Sequence, residues 1–374
     1  MHEKCSHLLD GVERFAEREV ASREGLSRAD VFPTDLWEKM AGAGLLGLAI
    51  PERLGGAGGD YGSAIAALKG FARGGRNMGM ALSWMIHLLV ARFFILSFGR
   101  EDQVEAYLRP MAKGDITGSI AISEPGTGAH PKHLKTTARI VDDGYEVNGE
   151  KTYLTNGTFA DFFMVFSVTG FSGDRKAFTF VIVPRDTRGL QPGSLMKIGF
   201  LRPSPHCGVR FDRCRVPLSN QLGEDGRAYE RMSKPFRPLE DVLLMGPLLG
   251  GMAWQLEALL EEVRKKNPRD REGLKEKLGF LQASLETIEV TTGEAARLCD
   301  GGLDPEKLDV LTVALKVQSK NHQALVDAVA SGIGVTGAPE FDVITQDLRK
   351  TIGLADQVIQ IKTRNIGERL LSKG

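Results

Sequence analysis

The chain has 374 residues, of which 42% are hydrophobic and 26% charged, and its 48 basic residues balance 48 acidic ones. This length allows two or three hydrophobic cores, and the composition is typical of a soluble globular protein. Zero formal net charge without a basic run argues against a nucleic-acid-binding surface. No apolar segment reaches membrane-spanning length: the longest, MGMALSWMIHLLVARFFIL, is interrupted by His87 and Arg92, which favours a buried helix.

The N-terminal segment MHEKCSHLLDGVERF is charged and contains no signal-peptide core, so we expect a cytoplasmic protein. Its His2, Cys5 and His7 could bind a metal, but we favour a frayed terminus and predict no metal site. The 4 cysteines of the chain are scattered without metal-ligand spacing, and in a cytoplasm we expect them as reduced thiols.

Three regions of the chain differ in their pattern. Residues 1–113 carry apolar residues at helical spacing, interrupted by the glycine-rich loop RLGGAGGDYG, and predict an N-terminal helical domain. Residues 114–222 alternate β-branched and polar residues between DDG and NGE turns, which predicts a central antiparallel β domain, a small barrel or sandwich. Residues 223–374 predict four or more long amphipathic helices in an antiparallel bundle. The predicted fold class is therefore α+β and multidomain.

A G-x-G-x-x-G pattern, GIGVTG, begins at Gly332 in the last region. A dinucleotide-binding loop needs a strand before its first glycine and a helix after it. The preceding NHQALVDAVAS is helical, and Pro339 does not suit a helix opened by glycine. We therefore predict a tight turn between two helices.

Several segments together resemble the acyl-CoA dehydrogenase family nearly end to end. The similar segments are GLLGLAIPERLGGAGGDYG, FGREDQVEAYLRPMAKGDITGSIAISEPGTG, VNGEKTYLTNGTFADFFMVFSVT and VRFDRCRVPLSNQLGEDG. The resemblance implies an N-terminal helical domain, a central β domain and a C-terminal four-helix bundle, with FAD between the last two. It also implies a homodimer or homotetramer.

The resemblance implies specific flavin contacts in the β domain. In the family, a Thr-Glu-Pro motif binds the pyrimidine side of the flavin, and Ile122 and Ser123 occupy those positions. A Trp-Ile-Thr-Asn motif places a Trp beside the flavin and a Thr near its N5 atom, and Tyr153 and Thr155 match these two. Taken alone, each of these residues could equally be a packing residue of a strand.

The implied reaction is the α,β-dehydrogenation of an acyl thioester, acyl-CoA or acyl-carrier. A base takes the α proton, and flavin N5 takes a hydride from the β carbon. Electrons would then pass to an electron-transfer flavoprotein. Most members carry the base in a Tyr-Glu-Gly-Thr turn, but the matching TIGLADQVIQ places Leu354 or Ala355 there, with Asp356 off register.

Isovaleryl-CoA dehydrogenase and similar members carry the base at the start of the first bundle helix. The stretch PLEDVLLMGPLLGGM matches this arrangement, with Glu240 as the candidate base and Gly250 as the helix glycine that follows it. The alternative is a helix-terminal carboxylate that interacts with the helix dipole. Asp241 replaces an Arg of the family, so a cation is missing from the sequence neighbourhood.

The segment that contacts FAD across the dimer in the family is altered in this chain. In EEVRKKNPRDREGLKEKLG, Arg264, Arg269 or Arg271 could reach a phosphate, although we favour a solvated, charged turn. The glycines Gly332 and Gly334 belong to an altered Gly-Gly-x-Gly turn that approaches FAD in the family, and Ala330 lies near the position of a Gln there.

A third departure is Ala129, which replaces a Ser and removes a hydrogen bond to the pyrophosphate. Losing several such bonds would weaken FAD binding by two or more orders of magnitude, at roughly 1 kcal/mol each or more. Two alternatives to a dehydrogenase follow: a flavin-poor subunit of a hetero-oligomer, or a flavin oxygenase or oxidase on the same fold.

Overall fold

The computed structural model describes residues 3–266, 272–302, 304–335, 338–354 and 356–372. The chain forms two compact units. The first comprises Met1–Leu8, Arg28–Gly59 and Leu82–Arg237, and the second comprises Leu9–Ser27, Asp60–Ala81 and Pro238–Gly374. Each unit thus combines N-terminal segments with later parts of the chain. The division into three domains at residues 113/114 and 222/223 stays a prediction.

Helices occupy both ends of the chain. The first group is α1 Glu3–Ala16, α2 Thr34–Gly42, α3 Tyr61–Gly75, α4 Met78–Leu89 and α5 Glu101–Lys113. The second group is α6 Lys234–Lys266, α7 Glu272–Asp300, α8 Pro305–Ile333, α9 Pro339–Gly353 and α10 Asp356–Ser372. The predicted order of helices, strands and helices is confirmed.

The strands between the two groups of helices form one sheet of the first unit. They are β1 Gly118–Ala121, β2 Thr137–Val141, β3 Gly144–Thr155, β4 Phe162–Ser172, β5 Arg175–Pro184, β6 Leu190–Leu195, β7 His206–Pro217 and β8 Gln221–Leu222. The strand order is β6-β7-β3-β2-β4-β5-β8, and β1 also pairs with β4.

The sheet is mixed, which corrects the prediction of an antiparallel β domain. β1 and β2 both pair with β4 in parallel, whereas β3, β5, β6, β7 and β8 pair antiparallel with their neighbours. The connection between β1 and β2 is long enough to return the chain to the same end of the sheet, so these strands can run in one direction. Alternating polarity marks a strand but does not report its direction.

The core of the sheet comes from apolar residues of its central strands. Val147, Phe163, Val165, Val181 and Phe211 are buried together. In β4 every residue from Phe162 to Val168 is buried, which is the pattern of a strand covered on both faces. This core supports the loop and strand ends described below.

In the second unit, two glycines allow α6 to approach α3 closely. A Cβ atom on Gly246 would lie 2.8 Å from Leu68 Cβ, and one on Gly250 would lie 2.4 Å from the carbonyl oxygen of Lys69. Neither position has room for a side chain, so Gly250 has a packing function whatever its match to the family.

Two described helical segments, Met78–Leu96 and Tyr229–Lys266, are long and apolar enough to cross a membrane by length and composition alone. This corrects the expectation that no segment reaches that length. Within the structure, 89% and 72% of their most apolar windows are buried, as is usual for core helices.

The N-terminus is ordered from Glu3, because α1 begins there and buries Cys5 completely. The prediction of a frayed terminus is therefore wrong for the described residues, and His2 lies outside them. All cysteines are buried free thiols. Across the described ranges, no group of three or more His, Cys, Asp or Glu residues could hold a metal ion.

Replacing Gly250 with alanine should lower the free energy of unfolding by about 1–3 kcal/mol, because the new methyl group would overlap α3. The matched control is Gly293→Ala in α7, where nothing lies within 4 Å of the added Cβ. This control should be neutral or stabilising by up to about 1 kcal/mol. Urea denaturation followed by circular dichroism measures both, and equal unfolding midpoints would contradict the packing argument.

Candidate functional site

The segment after β1 holds the first two predicted site residues. Ile122 and Ser123 are half-buried and lie outside regular strand structure. The Ile122 carbonyl accepts a hydrogen bond from Lys151 Nζ at 2.9 Å, and the Ser123 carbonyl accepts one from the Thr152 N–H at 2.9 Å. The Ser123 hydroxyl has no hydrogen-bond partner within the described part of the chain, so it is available to a ligand.

A buried ion pair lies beside this segment. Lys151 Nζ is 3.0 Å from Glu124 Oε1, and the two side chains are 0% and 6% exposed. The Glu124 carboxylate also accepts hydrogen bonds from the backbone N–H groups of Lys135 at 2.7 Å and Thr136 at 2.9 Å. The pair therefore joins the loop after β1, the start of β2 and the middle of β3.

Burial and pairing act against each other on these two charges. Burial alone would raise the pKa of Glu124, but the charge of Lys151 and hydrogen bonds from Thr136 and Lys135 lower it below its ordinary value. Burial lowers the pKa of Lys151 to about 8, against the attraction of Glu124. Both groups are therefore mainly charged at pH 7, and the contact is an ion pair.

β3 carries the next predicted residue at a bulge. Its register against β7 shifts between Lys151 and Leu154, and Tyr153 lies in this interval with a φ of 58°. Left-handed backbone is unfavourable for a tyrosine, and its side chain is 60% exposed, so packing does not explain the conformation. A strained backbone that presents an exposed ring is typical of a ligand-binding position.

Thr155 ends β3 and contacts a buried histidine. Thr155 Oγ1 lies 3.0 Å from His206 Nε2, and His206 Nδ1 lies 3.2 Å from the Ser204 carbonyl oxygen. His206 is 7% exposed, and burial lowers its pKa. Sequence reasoning missed His206 because no motif or spacing connects it with Thr155.

The turn after β3 fixes this end of the strand. Asn156 has a φ of 65° and is fully buried. Its N–H donates to the Pro205 carbonyl at 3.0 Å, and its Nδ2 donates to the Ser83 carbonyl at 2.9 Å. The Thr155 backbone is held from the other side by Ser119 Oγ at 2.7 Å.

The GTG turn of the ISEPGTG motif contains a further hydroxyl. Gly126 and Gly128 have φ values of 76° and 59°, and Gly128 exchanges two backbone hydrogen bonds with Glu124. Thr127 Oγ1 between them is buried and has no hydrogen-bond partner among the described residues. A threonine between two glycines was the available sequence signal.

Glu240 lies in the second unit, almost two turns into α6. It is half-buried. The preceding Tyr229–Ser233 segment is a π-helical turn continuous with α6, so Glu240 is not in the first turn of the helix. The helix dipole acts mainly within that first turn, which weakens the alternative explanation for this carboxylate.

The cation that the sequence neighbourhood lacks comes from the last helix. Lys362 of α10 is 8% exposed, and its Nζ lies 3.2 Å from Asp241 Oδ2 and 3.4 Å from Asp309 Oδ1. It also donates to Thr312 Oγ1 at 3.2 Å. Asp241 is therefore paired with a cation from a distant part of the chain.

The other positions considered for a base fit poorly. Leu354 is apolar and 49% exposed, and Ala355 lies outside the described residues. Asp356 lies 3.0 Å from Lys320 Nζ and 3.6 Å from Lys316 Nζ. The hydrogen bond from Lys320 and the charges of both lysines lower the pKa of Asp356, which makes it a weak proton acceptor.

The SGIGVTG segment forms a helix C-terminus rather than a dinucleotide loop. α8 runs to Ile333, Gly334 has a φ of 65°, and the Val335 N–H donates to the Ala330 carbonyl at 3.0 Å. The tight turn between helices is confirmed as far as Val335, and Thr336 and Gly337 lie outside the described residues.

The helix that follows this turn corrects one step of the prediction. Pro339 is the first residue of α9, so it does open a helix. Lys266 Nζ donates to the carbonyls of Ile333 at 3.0 Å and Gly334 at 2.8 Å, which satisfies the end of α8. The dinucleotide interpretation still fails, because a helix precedes Gly332.

A cavity of about 480 Å³ adjoins the turn that carries Gly332 and Gly334. Its lining includes Ala330, Val335, Phe341 and Arg349. Gly332 and Gly334 as FAD contacts stay a prediction. Of the candidate phosphate ligands, Arg264 is exposed near the end of α6, and Arg269 and Arg271 lie outside the described residues.

Sequence profiles of two acyl-CoA dehydrogenase domains match this chain, the N-terminal domain at residues 2–115 and the middle domain at residues 119–214. Benzylmalonyl-CoA dehydrogenase from Aromatoleum aromaticum is 32% identical over 78% of this chain and 78% of its own length. L-prolyl-(peptidyl-carrier protein) dehydrogenase from Pseudomonas fluorescens is 29% identical over 88% of this chain and 87% of its own length. The structure of butyryl-CoA dehydrogenase from Megasphaera elsdenii has the same fold, with a TM-score of 0.84 and 22% identity over 99% of both chains.

Replacing Glu124 with glutamine should lower the free energy of unfolding by about 3–5 kcal/mol, because Lys151 would be left as a buried charge without its anion. The control is Glu150→Gln on the same strand, where an exposed carboxylate lies 4.0 Å from Arg210. Its cost should stay within about 1 kcal/mol. Chemical denaturation measures both variants, and equal stabilities would show that the buried pair has no structural role.

Proposed function

Because the chain belongs to the acyl-CoA dehydrogenase family of FAD-dependent flavoprotein oxidoreductases, we propose that it catalyses the α,β-dehydrogenation of an acyl thioester. The observation that carries the proposal is Tyr153, whose strained backbone presents an exposed ring beside Thr155. A strained exposed aromatic side chain has no role in packing the sheet, and it provides a contact surface for a planar ring.

The candidate residues of the first unit have side chains of the types that can bind a flavin. The hydroxyl of the half-buried Ser123 can bond a polar edge of a cofactor, and the ring of Tyr153 can cover an aromatic face. Ala129 provides no hydroxyl, and the neighbouring Thr127 hydroxyl is buried. When bound, FAD supplies the acceptor for the hydride that leaves the β carbon.

Glu240 is the proposed base that takes the α proton. Glu240 is half-buried and lies almost two turns into α6, and its carboxylate has the chemistry to accept a proton. The neighbouring Asp241 forms an ion pair with Lys362. The thioester carbonyl beside the α carbon makes this proton acidic enough for a carboxylate to remove.

We propose acyl-CoA or an acyl-carrier thioester as substrate, since both kinds of thioester occur in the names of similar dehydrogenases. An electron-transfer flavoprotein is the proposed electron acceptor, and fatty acid metabolism in the cytoplasm the proposed setting. A homodimer or homotetramer is the proposed assembly, with a hetero-oligomer as the alternative.

Anaerobic titration of the purified protein tests this function. The protein should be yellow or bind added FAD, and butyryl-CoA, isovaleryl-CoA or a butyryl-carrier protein should bleach the flavin band with formation of the enoyl product. A colourless protein that stays colourless with FAD supports a flavin-poor subunit. Flavin that none of these thioesters bleaches, but that another reductant reduces anaerobically and oxygen then rapidly reoxidises, supports an oxygenase or oxidase.

Glu240→Gln should lower the rate of flavin reduction by at least about a thousandfold, because the amide cannot take the α proton. Bound flavin should be unchanged. The control is Glu261→Gln, which removes an exposed carboxylate from the same helix. Stopped-flow absorbance with the best thioester measures the rate, and an unchanged rate in Glu240→Gln would remove this residue from the mechanism.

Tyr153→Ala should weaken FAD binding about five- to tenfold, because the ring provides contact area to the cofactor. Stability should change little, since the side chain is 60% exposed. Phe171→Ala is the matched control, an aromatic residue of β4 that is 70% exposed. Equal FAD dissociation constants for the two variants, measured by flavin fluorescence, would speak against Tyr153 as a flavin contact.

A further inference from the structure

We propose that His206 is a positioning residue that fixes the direction of the Thr155 hydroxyl proton and leaves Thr155 Oγ1 as a hydrogen-bond acceptor only. The inference deepens the proposed function and rests on it, because it concerns the side chain predicted to face the flavin. It begins with the contact of 3.0 Å between Thr155 Oγ1 and His206 Nε2.

The partners of His206 determine where its proton lies. Nδ1 is 3.2 Å from the Ser204 carbonyl oxygen, which can only accept a hydrogen bond, so Nδ1 carries the proton. In the neutral ring Nε2 is then an acceptor. Thr155 must therefore donate its hydroxyl proton to His206.

The surroundings of His206 keep this ring neutral and fixed. The side chain is 7% exposed, and burial disfavours the imidazolium form. The His206 carbonyl accepts a hydrogen bond from the Met196 N–H at 2.7 Å, and the side-chain hydroxyl of the nearby Ser204 lies 2.9 Å from that of Ser83.

The other end of the contact is held as well. Asn156, which follows Thr155, donates its N–H to the carbonyl of Pro205, which precedes His206. The two residues of the hydrogen bond are thus connected through their backbones next to the contact. This link fixes the two backbones at the distance that the side-chain contact requires.

A directed hydroxyl has a chemical consequence. A free threonine hydroxyl can rotate to donate to a ring nitrogen or to accept from a ring N–H. With its proton committed to His206, Thr155 can only accept from a third group. The Thr155 hydroxyl should therefore favour binding of the reduced cofactor over the oxidised one. The reduced form carries a proton on the ring nitrogen that the family resemblance places near Thr155, and the oxidised form does not.

The first test needs no flavin. In the 15N-labelled apoprotein, long-range 1H–15N correlation spectra at pH 7 should show His206 as the neutral Nδ1–H form, with the signal assigned by its loss in His206→Gln. His130 and His133 are exposed and serve as internal references for rings in contact with solvent. An Nε2–H or doubly protonated His206 would overturn the inference.

The second test measures dissociation constants of oxidised and reduced FAD. In His206→Leu the Thr155 proton is released, and the preference for the reduced form should fall about five- to tenfold. His206→Gln should keep the wild-type preference, because its amide can donate to Ser204 and accept from Thr155. His133→Leu is the surface control and should also leave it unchanged.

Two comparisons separate this inference from a general structural effect. In a Thr155→Val background, His206→Leu should have no further effect on the preference, whereas a persisting effect would overturn the inference. An unchanged preference in His206→Leu alone would do the same. If FAD does not bind at all, the proposed function fails, and the proton position in the apoprotein still decides the role of His206.

Discussion

The buried ion pair between Glu124 and Lys151 is the interaction on which the proposed flavin surface depends. Burying two charges is costly, and only complete hydrogen bonding offsets the cost. Here the carboxylate has two backbone donors in addition to Lys151, and the ammonium group also donates to the Ile122 carbonyl. These contacts fix a loop without regular structure against the middle of β3, so that the loop carrying Ser123 is attached directly to the strand that carries Tyr153.

The same strand then departs from regular geometry just beyond the pair. Tyr153 lies where the register of β3 against β7 shifts, and β2 pairs only with residues 144–148 of β3, so the left-handed backbone of Tyr153 accompanies this bulge. Past the bulge, hydrogen bonds of Asn156 and His206 fix the strand end again. Two rigid anchors on either side of a strained residue are the arrangement that holds a ligand contact in place before the ligand binds.

The sequence predicts the larger features of this chain well, because they follow from local patterns. Helical spacing, the DDG turn and the glycine turn at Gly334 each depend on a few neighbouring residues. The predicted NGE turn is wrong, because residues 148–150 lie within β3, where its register against β7 shifts. The parallel pairing of β1 and β2 with β4 was not predictable from alternation, which is the same in both kinds of sheet. The contact of Thr155 with His206 and that of Asp241 with Lys362 join distant positions, and no local rule connects them.

Charge pairing in the second unit gives a physical reason against Asp356 as the base. Asp241 and Asp309 share Lys362, while Asp356 is held by Lys320 and Lys316. The hydrogen bond from Lys320 and the charges of both lysines lower the pKa of Asp356, so this carboxylate is a weak proton acceptor. Lys362 supplies the cation that the sequence near Asp241 lacks, from a position 121 residues further along the chain. Long-range pairing of this kind, which no local pattern reports, therefore decides against Asp356 among the carboxylates considered for the base.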